Sequence, residues 1–243
     1  MKLSNISNST KKVLSILLIL IIASSFAIYI NNFPGNKIMT PLPHNQKIIL
    51  MGDSYTIGQS VNVKDRWPVQ LENKLTTEGI LISELKIIAQ TGWTTSDLIR
   101  GIENEITNPP YDLVTLLIGV NNQFRNEGID KFRDELILLM KQAIEFAGGN
   151  SFKVLIISIP DWGATPFAEN FDRDLIASEI DLFNSITLEQ SNVFNLTFID
   201  ITPISRQAID NPLLIAEDGL HPSMEMYRQW VDLMFPTVLA ILN

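Results

Sequence analysis

The chain has 243 residues, 46% of them hydrophobic, and a formal net charge of −9. That length suits one full-sized core, and the negative charge argues against nucleic acid as a partner, because phosphate contacts need clustered Lys and Arg. With no cysteine in the chain, thiol nucleophiles, disulfide bonds and cysteine-ligated zinc are excluded.

The first 30 residues have the pattern of a segment that enters a membrane. Lys11 and Lys12 precede residues 13–30, which carry no charge and would span roughly 27 Å as a helix. The lysines should stay cytoplasmic, so the rest of the chain is expected to be exported. We favour an uncleaved signal anchor. The alternative is a cleaved signal peptide and a secreted or periplasmic protein, since Ser25-Phe26-Ala27 has the small-x-small form of a processing site.

Residues 31–46 are predicted to be a linker, because prolines and Gly35 lie among polar residues there. From residue 47 to residue 243, apolar runs of strand length alternate with segments of helical period. This pattern predicts a single α/β domain in which helices cover both faces of a parallel sheet. The predicted strands are 47–51, 85–89, 113–118, 154–158 and 197–201.

Apolar residues three and four positions apart predict the helices between these strands. Asp65 is predicted to cap the first of them, and the second should extend from Thr94 as far as Ile106. A helix over 172–192 carries Leu175 in its apolar stripe. Pro236 is expected to kink or end the last helix, which starts near Ser223.

A serine stands at the carboxyl end of the first predicted strand, in the turn Gly52-Asp53-Ser54-Tyr55. Ligand sites of open parallel sheets lie just beyond such strand ends. Three further polar stretches follow: Gly92 comes after the second strand, Asn121 after the third, and Asp218-Gly219-Leu220-His221 before the last helix.

These four blocks, in this order, resemble the signature blocks of the SGNH (GDSL-type) hydrolases, which are serine esterases and lipases. The resemblance extends over residues 47–243. It implies a flavodoxin-like three-layer α/β/α sandwich with five parallel strands in the order 2-1-3-4-5. It also implies that the backbone N–H groups of Ser54 and Gly92 and the side-chain amide of Asn121 bind the oxyanion.

The chemistry of the residues points in the same direction. A serine hydroxyl needs a neighbouring base, and imidazole can accept its proton and later return it. Of the two histidines, His44 lies in the predicted linker, so His221 is the candidate base and Asp218 the group that orients it. Two histidines without a liganding pattern do not suit catalytic zinc, and we expect neither metal nor cofactor.

Each assignment has a plainer alternative. The plainer role of Gly92 is to turn the chain, that of Asn121 is to cap a helix, and Asp218-Gly219 is an ordinary turn pair. Two positions also depart from the family pattern: Tyr55 stands where the name motif has Leu, and Asn122 stands where many members carry Asp.

We therefore predict hydrolysis of a carboxylic ester through an acyl-serine intermediate, with short acyl groups preferred. Trp162 and Phe167 are expected either to edge the cleft or to pack in the core, and Trp67 is expected to pack. One alternative is an esterase that removes O-acetyl groups from cell-surface or extracellular carbohydrate. The other, from a different class, is a glycan- or lipid-binding module with a vestigial triad.

Overall fold

The computed structural model describes residues 45–243, in which five parallel strands form one sheet in the order β2-β1-β3-β4-β5. The predicted fold class and strand order are confirmed. The predicted membrane segment at residues 1–30 and all but the end of the 31–46 linker lie outside the described residues. The strands are β1 Gln46–Gly52, β2 Ile82–Ala89, β3 Leu113–Leu117, β4 Val154–Ile157 and β5 Thr197–Ile199.

Helices follow each strand along the chain. None of those within residues 45–243 combines the length and the apolar character that crossing a membrane requires. The α-helices are α1 Ser54–Ile57, α2 Trp67–Thr77, α3 Thr95–Glu103, α4 Val120–Phe124, α5 Ile129–Phe146, α6 Arg173–Val193, α7 Thr202–Arg206 and α8 Met224–Leu242. Short 3-10 helices span Val63–Asp65, Ser151–Lys153, Trp162–Ala164, Pro166–Ala168, Gln207–Ile209 and Pro212–Leu214.

The three central strands are apolar because helices cover both of their faces. Ile48 to Met51 of β1 and every residue of β3 and β4 are buried, whereas the edge strands β2 and β5 stay partly accessible. Helix α2 packs with α8, and α3, α5 and α6 pack in sequence as a second group. The order of the chain reverses between β1 and β3, which is where such sheets open a crevice at their carboxyl ends.

Gly52 lets the chain turn tightly from β1 into α1. A Cβ at this position would lie 2.5 Å from the carbonyl oxygen of Leu117 and 2.2 Å from Thr56 Oγ1. No side chain fits there, so the turn that follows β1 lies directly against the end of β3.

Two predicted helix ends were wrong. Asp65 belongs to a 3-10 turn, and Arg66 occupies the N-cap position of α2; Pro68 accounts for this start, because proline is well suited to a first helical turn. Helix α3 ends at Glu103, and Ile106 is 91% exposed, so the apolar spacing continued past the end of the helix.

Two other helices also differ from expectation, α6 in its apolar stripe and α8 at its proline. Leu175 of α6 is 53% exposed rather than packed in the core. Helix α8 continues through Pro236, so the proline does not end the helix. The buried residues Trp230, Met234 and Val238 anchor it on both sides of the proline, and this packing outweighs the missing hydrogen bond.

Candidate active site

Ser54 is the first residue of α1, directly beyond the end of β1. Asp53 precedes it as the N-cap residue, and its Oδ1 accepts a hydrogen bond from the Tyr55 N–H at 3.0 Å. The indole of Trp67, fully buried in α2 as predicted, donates to the carbonyl of Tyr55 at 3.1 Å. The helix that carries Ser54 is therefore fixed at its start and from the side.

His221 lies in the loop before α8 and is hydrogen-bonded to Asp218. The distance from His221 Nδ1 to Asp218 Oδ2 is 2.6 Å, and Asp218 Oδ1 accepts the N–H groups of Leu220 and His221 at 2.9 Å each. Partial burial alone would raise the pKa of Asp218, but hydrogen bonds from Ser60, Leu220 and His221 outweigh it and lower this pKa to about 2. Asp218 is thus a carboxylate at neutral pH.

Four of the five predicted site residues line one pocket: Ser54, Gly92, Asn121 and His221. Asp218, the fifth, lies behind His221 and contacts its imidazole. Within residues 45–243 no hydrogen bond joins the hydroxyl of Ser54 to His221. Catalytic hydrogen bonds are often longer before substrate binds, so the shared pocket is the relevant observation.

Gly92 and Asn121 reach the pocket from the ends of β2 and β3. Gly92 has a φ of +81°, which favours glycine, and its carbonyl accepts a bond from Arg125 Nη2 at 2.6 Å. Asn121 Nδ2 donates to the carbonyl of Trp93 at 2.9 Å. Because an amide nitrogen carries two hydrogens, one N–H of Asn121 remains for a ligand.

Asn122, the departure from the family pattern, connects α4 to α3. Its Oδ1 accepts the Thr95 N–H at 3.1 Å, and its Nδ2 donates to Thr95 Oγ1 at 2.7 Å and to Glu127 Oε2 at 3.2 Å. The side chain is fully buried. A carboxylate here could not donate to Glu127, so the amide suits this environment, and it holds the loops of Gly92 and Asn121 together.

The pocket has a volume of about 170 Å³, and apart from Tyr55 and Thr91 the rest of its lining is apolar. Trp162 is buried, and its Nε1 donates to Gln123 Oε1 at 2.7 Å, whereas Phe167 is 42% exposed. Both line the pocket, so Trp162 is at once a core residue and a pocket wall, and Phe167 is not a core residue. Val120, Phe124 and Leu220 complete the apolar lining.

Several residues around the pocket carry no signal in the sequence. Phe124 follows the Asn121 block without a motif of its own, and Ser60 contacts a residue 158 positions away.

His221 is the only histidine among residues 45–243, and that part of the chain holds no cluster of three or more His, Asp or Glu side chains arranged for a metal ion.

Comparisons with known proteins agree with the fold. The sequence profile of the GDSL-like Lipase/Acylhydrolase family matches residues 50–229, which contain all four predicted blocks. A search of curated proteins found no match.

Solved structures share the fold at low sequence identity. The psychrotrophic esterase EstA from Pseudoalteromonas sp. is 18% identical with a TM-score of 0.63, over 82% of this chain and all of EstA. The acetylxylan esterase Axe2 from Geobacillus stearothermophilus is 16% identical with a TM-score of 0.63, over 81% of this chain and 96% of Axe2. TesA is 16% identical with a TM-score of 0.61, over 81% of this chain and all of TesA. Likeness at these identities shows the fold alone.

Beneath Ser54, the carboxyl group of Asp53 is completely buried. Within the described residues its Oδ2 has no hydrogen-bond partner. Burial raises the pKa of Asp53 to about 7, despite the bond from the Tyr55 N–H, which lowers it. Between pH 4 and pH 7 the folded chain therefore holds a proton that the unfolded chain has released. By linkage, the contribution of Asp53 to stability falls as the pH rises through this range.

We predict that Asp53→Asn stabilises the protein at pH 8 but much less at pH 4. Asn keeps an oxygen for the Tyr55 N–H but cannot ionise, so its advantage should grow between pH 4 and 7, to at most about 4 kcal/mol. Urea unfolding from pH 4 to 8 measures this difference. Asp134→Asn, on the exposed face of α5, controls for the loss of one negative charge. An advantage independent of pH would contradict the raised pKa.

Proposed function

Because the chain belongs to the GDSL-like lipase/acylhydrolase family, we propose that it hydrolyses carboxylic esters through an acyl-serine intermediate formed on Ser54. Family membership makes it an ester hydrolase. One observation carries the serine mechanism. Ser54 and His221 line one pocket, and Asp218 Oδ2 lies 2.6 Å from His221 Nδ1, which leaves Nε2 as the nitrogen that can act on Ser54.

In the proposed reaction, His221 Nε2 accepts the proton of Ser54 as Oγ attacks the ester carbonyl carbon. Asp218 holds the Nδ1–H and stabilises the imidazolium that forms. His221 then gives its proton to the leaving alcohol as the carbon–oxygen bond breaks. Water, deprotonated by the same imidazole, then attacks the acyl carbon. The bond from this carbon to Ser54 Oγ breaks, and the imidazolium returns its proton to Oγ, which releases the acid and restores Ser54 and His221.

The tetrahedral intermediates carry negative charge on the former carbonyl oxygen, which needs preorganised donors. The proposed donors are the backbone N–H groups of Ser54 and Gly92 and the free N–H of Asn121. Supporting this, all three residues line the pocket, and Asn121 is fixed by its bond to Trp93.

The size and lining of the pocket support short acyl groups. A dry apolar cavity of about 150 Å³ holds a benzene-sized molecule, and this pocket has about 170 Å³. An acyl chain of up to about six carbon atoms matches that volume. Longer chains would have to displace Trp162 or pass over the exposed edge of Phe124.

Deacetylation of a carbohydrate is the second candidate, and the exposed aromatic rings favour it. The rings of Phe167 and Phe171 are stacked, with their centroids 5.9 Å apart and an interplanar angle of 20°. Both side chains are nearly half exposed beside the pocket. Exposed ring faces of this kind can contact a sugar face. Axe2, named above as an acetylxylan esterase, contributes only its fold to this argument.

We predict that Ser54→Ala and His221→Ala each lower kcat by about 10³-fold or more and that the double variant loses little beyond either single one, because triad members act as a unit. The assay is hydrolysis of nitrophenyl acetate. His44→Ala, which removes the other histidine, is the matched control and should retain full activity. If the factors by which kcat falls in the two single variants multiply in the double variant, the two residues do not share a step.

A fluorophosphonate probe separates the enzyme from a binding module. Labelling that disappears in Ser54→Ala supports the serine mechanism. A folded protein that resists labelling and binds glycan or lipid would instead support a module with a vestigial triad.

We predict that kcat/KM in a nitrophenyl ester series from acetate to palmitate peaks between acetate and hexanoate. Phe124 and Trp162 line both the pocket and a neighbouring hollow of about 310 Å³, which Phe171 also lines. Phe124→Ala should join the two and shift the optimum to longer chains. Phe152→Ala, at a 75% exposed site before β4, is the control. An optimum at ten carbons or more in the unaltered protein would sink the short-chain proposal.

We further propose that the domain is exported and held at a membrane by residues 1–30, on the sequence pattern alone. The full chain should fractionate with membranes, and a variant beginning at Asn31 should be soluble and equally active on soluble esters. N-terminal sequencing of the exported protein checks the anchor directly. A start between Phe26 and Asn32 would show that the segment is a cleaved signal peptide.

A further inference from the structure

The hydroxyl of Ser60 contacts the carboxylate that orients His221. Ser60 Oγ lies 2.5 Å from Asp218 Oδ2, the same oxygen that accepts from His221 Nδ1 at 2.6 Å. Hydroxyl-to-carboxylate bonds of this length are in the strong, charge-assisted range. The bond joins two segments 158 positions apart in the chain.

Ser60 belongs structurally to the helix of the nucleophile. The N–H groups of Gly58 and Gln59 both donate to the carbonyl of Ser54 at 3.0 Å, which closes α1, and Ser60 comes next. Its φ is +64°, a left-handed conformation that is unfavourable for a serine and readily adopted by glycine or asparagine. The backbone tolerates this strain at the position where the hydroxyl reaches Asp218.

Asp218 accepts hydrogen bonds from its own loop and one from a distant segment of the chain. Its Oδ1 accepts two N–H groups from its own loop, from Leu220 and His221. These fix the carboxylate within the loop but not the loop relative to Ser54. Among the hydrogen bonds to Asp218 from residues 45–243, only the one from Ser60 comes from another segment.

The neighbouring residue makes a similar connection on the opposite side of the pocket. Gln59 Oε1 accepts a hydrogen bond from Thr91 Oγ1 at 2.7 Å, and Thr91 is adjacent to Gly92. Consecutive residues that follow α1 therefore reach the loop of the proposed oxyanion donor and the loop of Asp218.

We propose that Ser60 is a positioning residue that holds Asp218, and through it His221, in place relative to Ser54. This inference rests on the proposed triad. Without the hydroxyl, Asp218 Oδ2 is bonded only to the imidazole that it has to orient, and no hydrogen bond to this carboxylate from the described part of the chain holds its loop relative to Ser54. The imidazole then samples orientations that do not face Ser54, and kcat falls while substrate binding does not change.

Three substitutions separate the hydroxyl from the strained backbone. Ser60→Ala removes the donor and keeps the strain, whereas Ser60→Gly removes the donor and relieves it. Ser60→Asn suits the left-handed conformation and offers an amide N–H in place of the hydroxyl. Ser83→Ala is the matched control, because exposed Ser83 donates to the carbonyl of Gln46 at the opposite end of β1.

We expect Ser60→Ala and Ser60→Gly to lower kcat about tenfold, the factor that corresponds to the weaker hydrogen bonds to charged groups, with KM within about twofold. The two losses should be equal although Ser60→Gly melts at a higher temperature than Ser60→Ala. Ser60→Asn should recover most of kcat, and Ser83→Ala should retain all of it. In an Asp218→Asn background, Ser60→Ala should cost nothing further, as coupled residues do in a double-mutant cycle.

Ser54→Ala, measured on the same ester, distinguishes a failure of the proposed triad from a failure of the proposed role of Ser60. Full turnover by Ser54→Ala would overturn the triad and the Ser60 inference with it. An inactive Ser54→Ala with unchanged kcat in Ser60→Ala and Ser60→Gly would overturn the Ser60 inference alone. So would a loss in Ser60→Ala that is absent from Ser60→Gly, because backbone strain would then be the cause.

Discussion

The hydrogen bond between Asp218 Oδ2 and His221 Nδ1 decides which nitrogen of the imidazole is available to the pocket. A neutral imidazole donates from one nitrogen and accepts at the other, so a donor fixed at Nδ1 leaves Nε2 as the acceptor. The pKa of Asp218, lowered to about 2 by its hydrogen bonds, keeps the carboxylate charged at any pH where a histidine is neutral. The carboxylate of Asp218, kept charged by its hydrogen bonds, therefore maintains the His221 tautomer with the proton on Nδ1. A base for Ser54 needs this tautomer.

The sheet brings the remaining groups to this hydrogen-bonded pair of Asp218 and His221. Because β2, β1 and β3 are parallel neighbours, the residues that follow them, Gly92, Ser54 and Asn121, emerge at the same edge. The loop of His221 arrives by a different route, through the packing of α8 against α2. Gln70 of α2 donates to the carbonyl of Met224 at 3.1 Å, three residues after His221. The site thus depends on strand order on one side and on a helix pair on the other.

These two routes explain what the sequence could predict. Strands buried on both faces are continuous apolar runs, so β1, β3 and β4 were located to within one residue at each end. The edge strand β2 begins at Ile82, three residues before the predicted start, because the exposed Ser83 and the charged Glu84 interrupt the apolar run there. Residues directly after strands are fixed by the sheet, which is why Ser54, Gly92 and Asn121 could be proposed as one group.

Contacts between distant loops follow no such rule. The bond of Ser60 to Asp218 depends on how α1 ends, and the pocket wall depends on where α4 places Phe124. Neither has a period or a motif. Ile106 and Leu175 show the converse error, since apolar spacing predicted burial and each is more than half exposed. A residue's spacing indicates which face of a helix it shares, but only the neighbouring elements decide whether that face is covered.

The wall of the pocket has a rigid part and an open part. Trp162 is held by its bond to Gln123, whose own amide donates to Glu179 Oε2 on α6 at 2.7 Å. Moving the indole would break a buried chain of hydrogen bonds, and an unpaired buried donor costs about 1 to 3 kcal/mol. That cost is comparable to the gain from burying two or three further methylene groups, at about 0.8 kcal/mol each. Phe124 and Phe167, at the exposed edge, carry no such bonds. Extra acyl carbons directed at Trp162 therefore gain little net free energy, so the rigid indole limits the length of the proposed acyl group while the open edge leaves room for a larger alcohol.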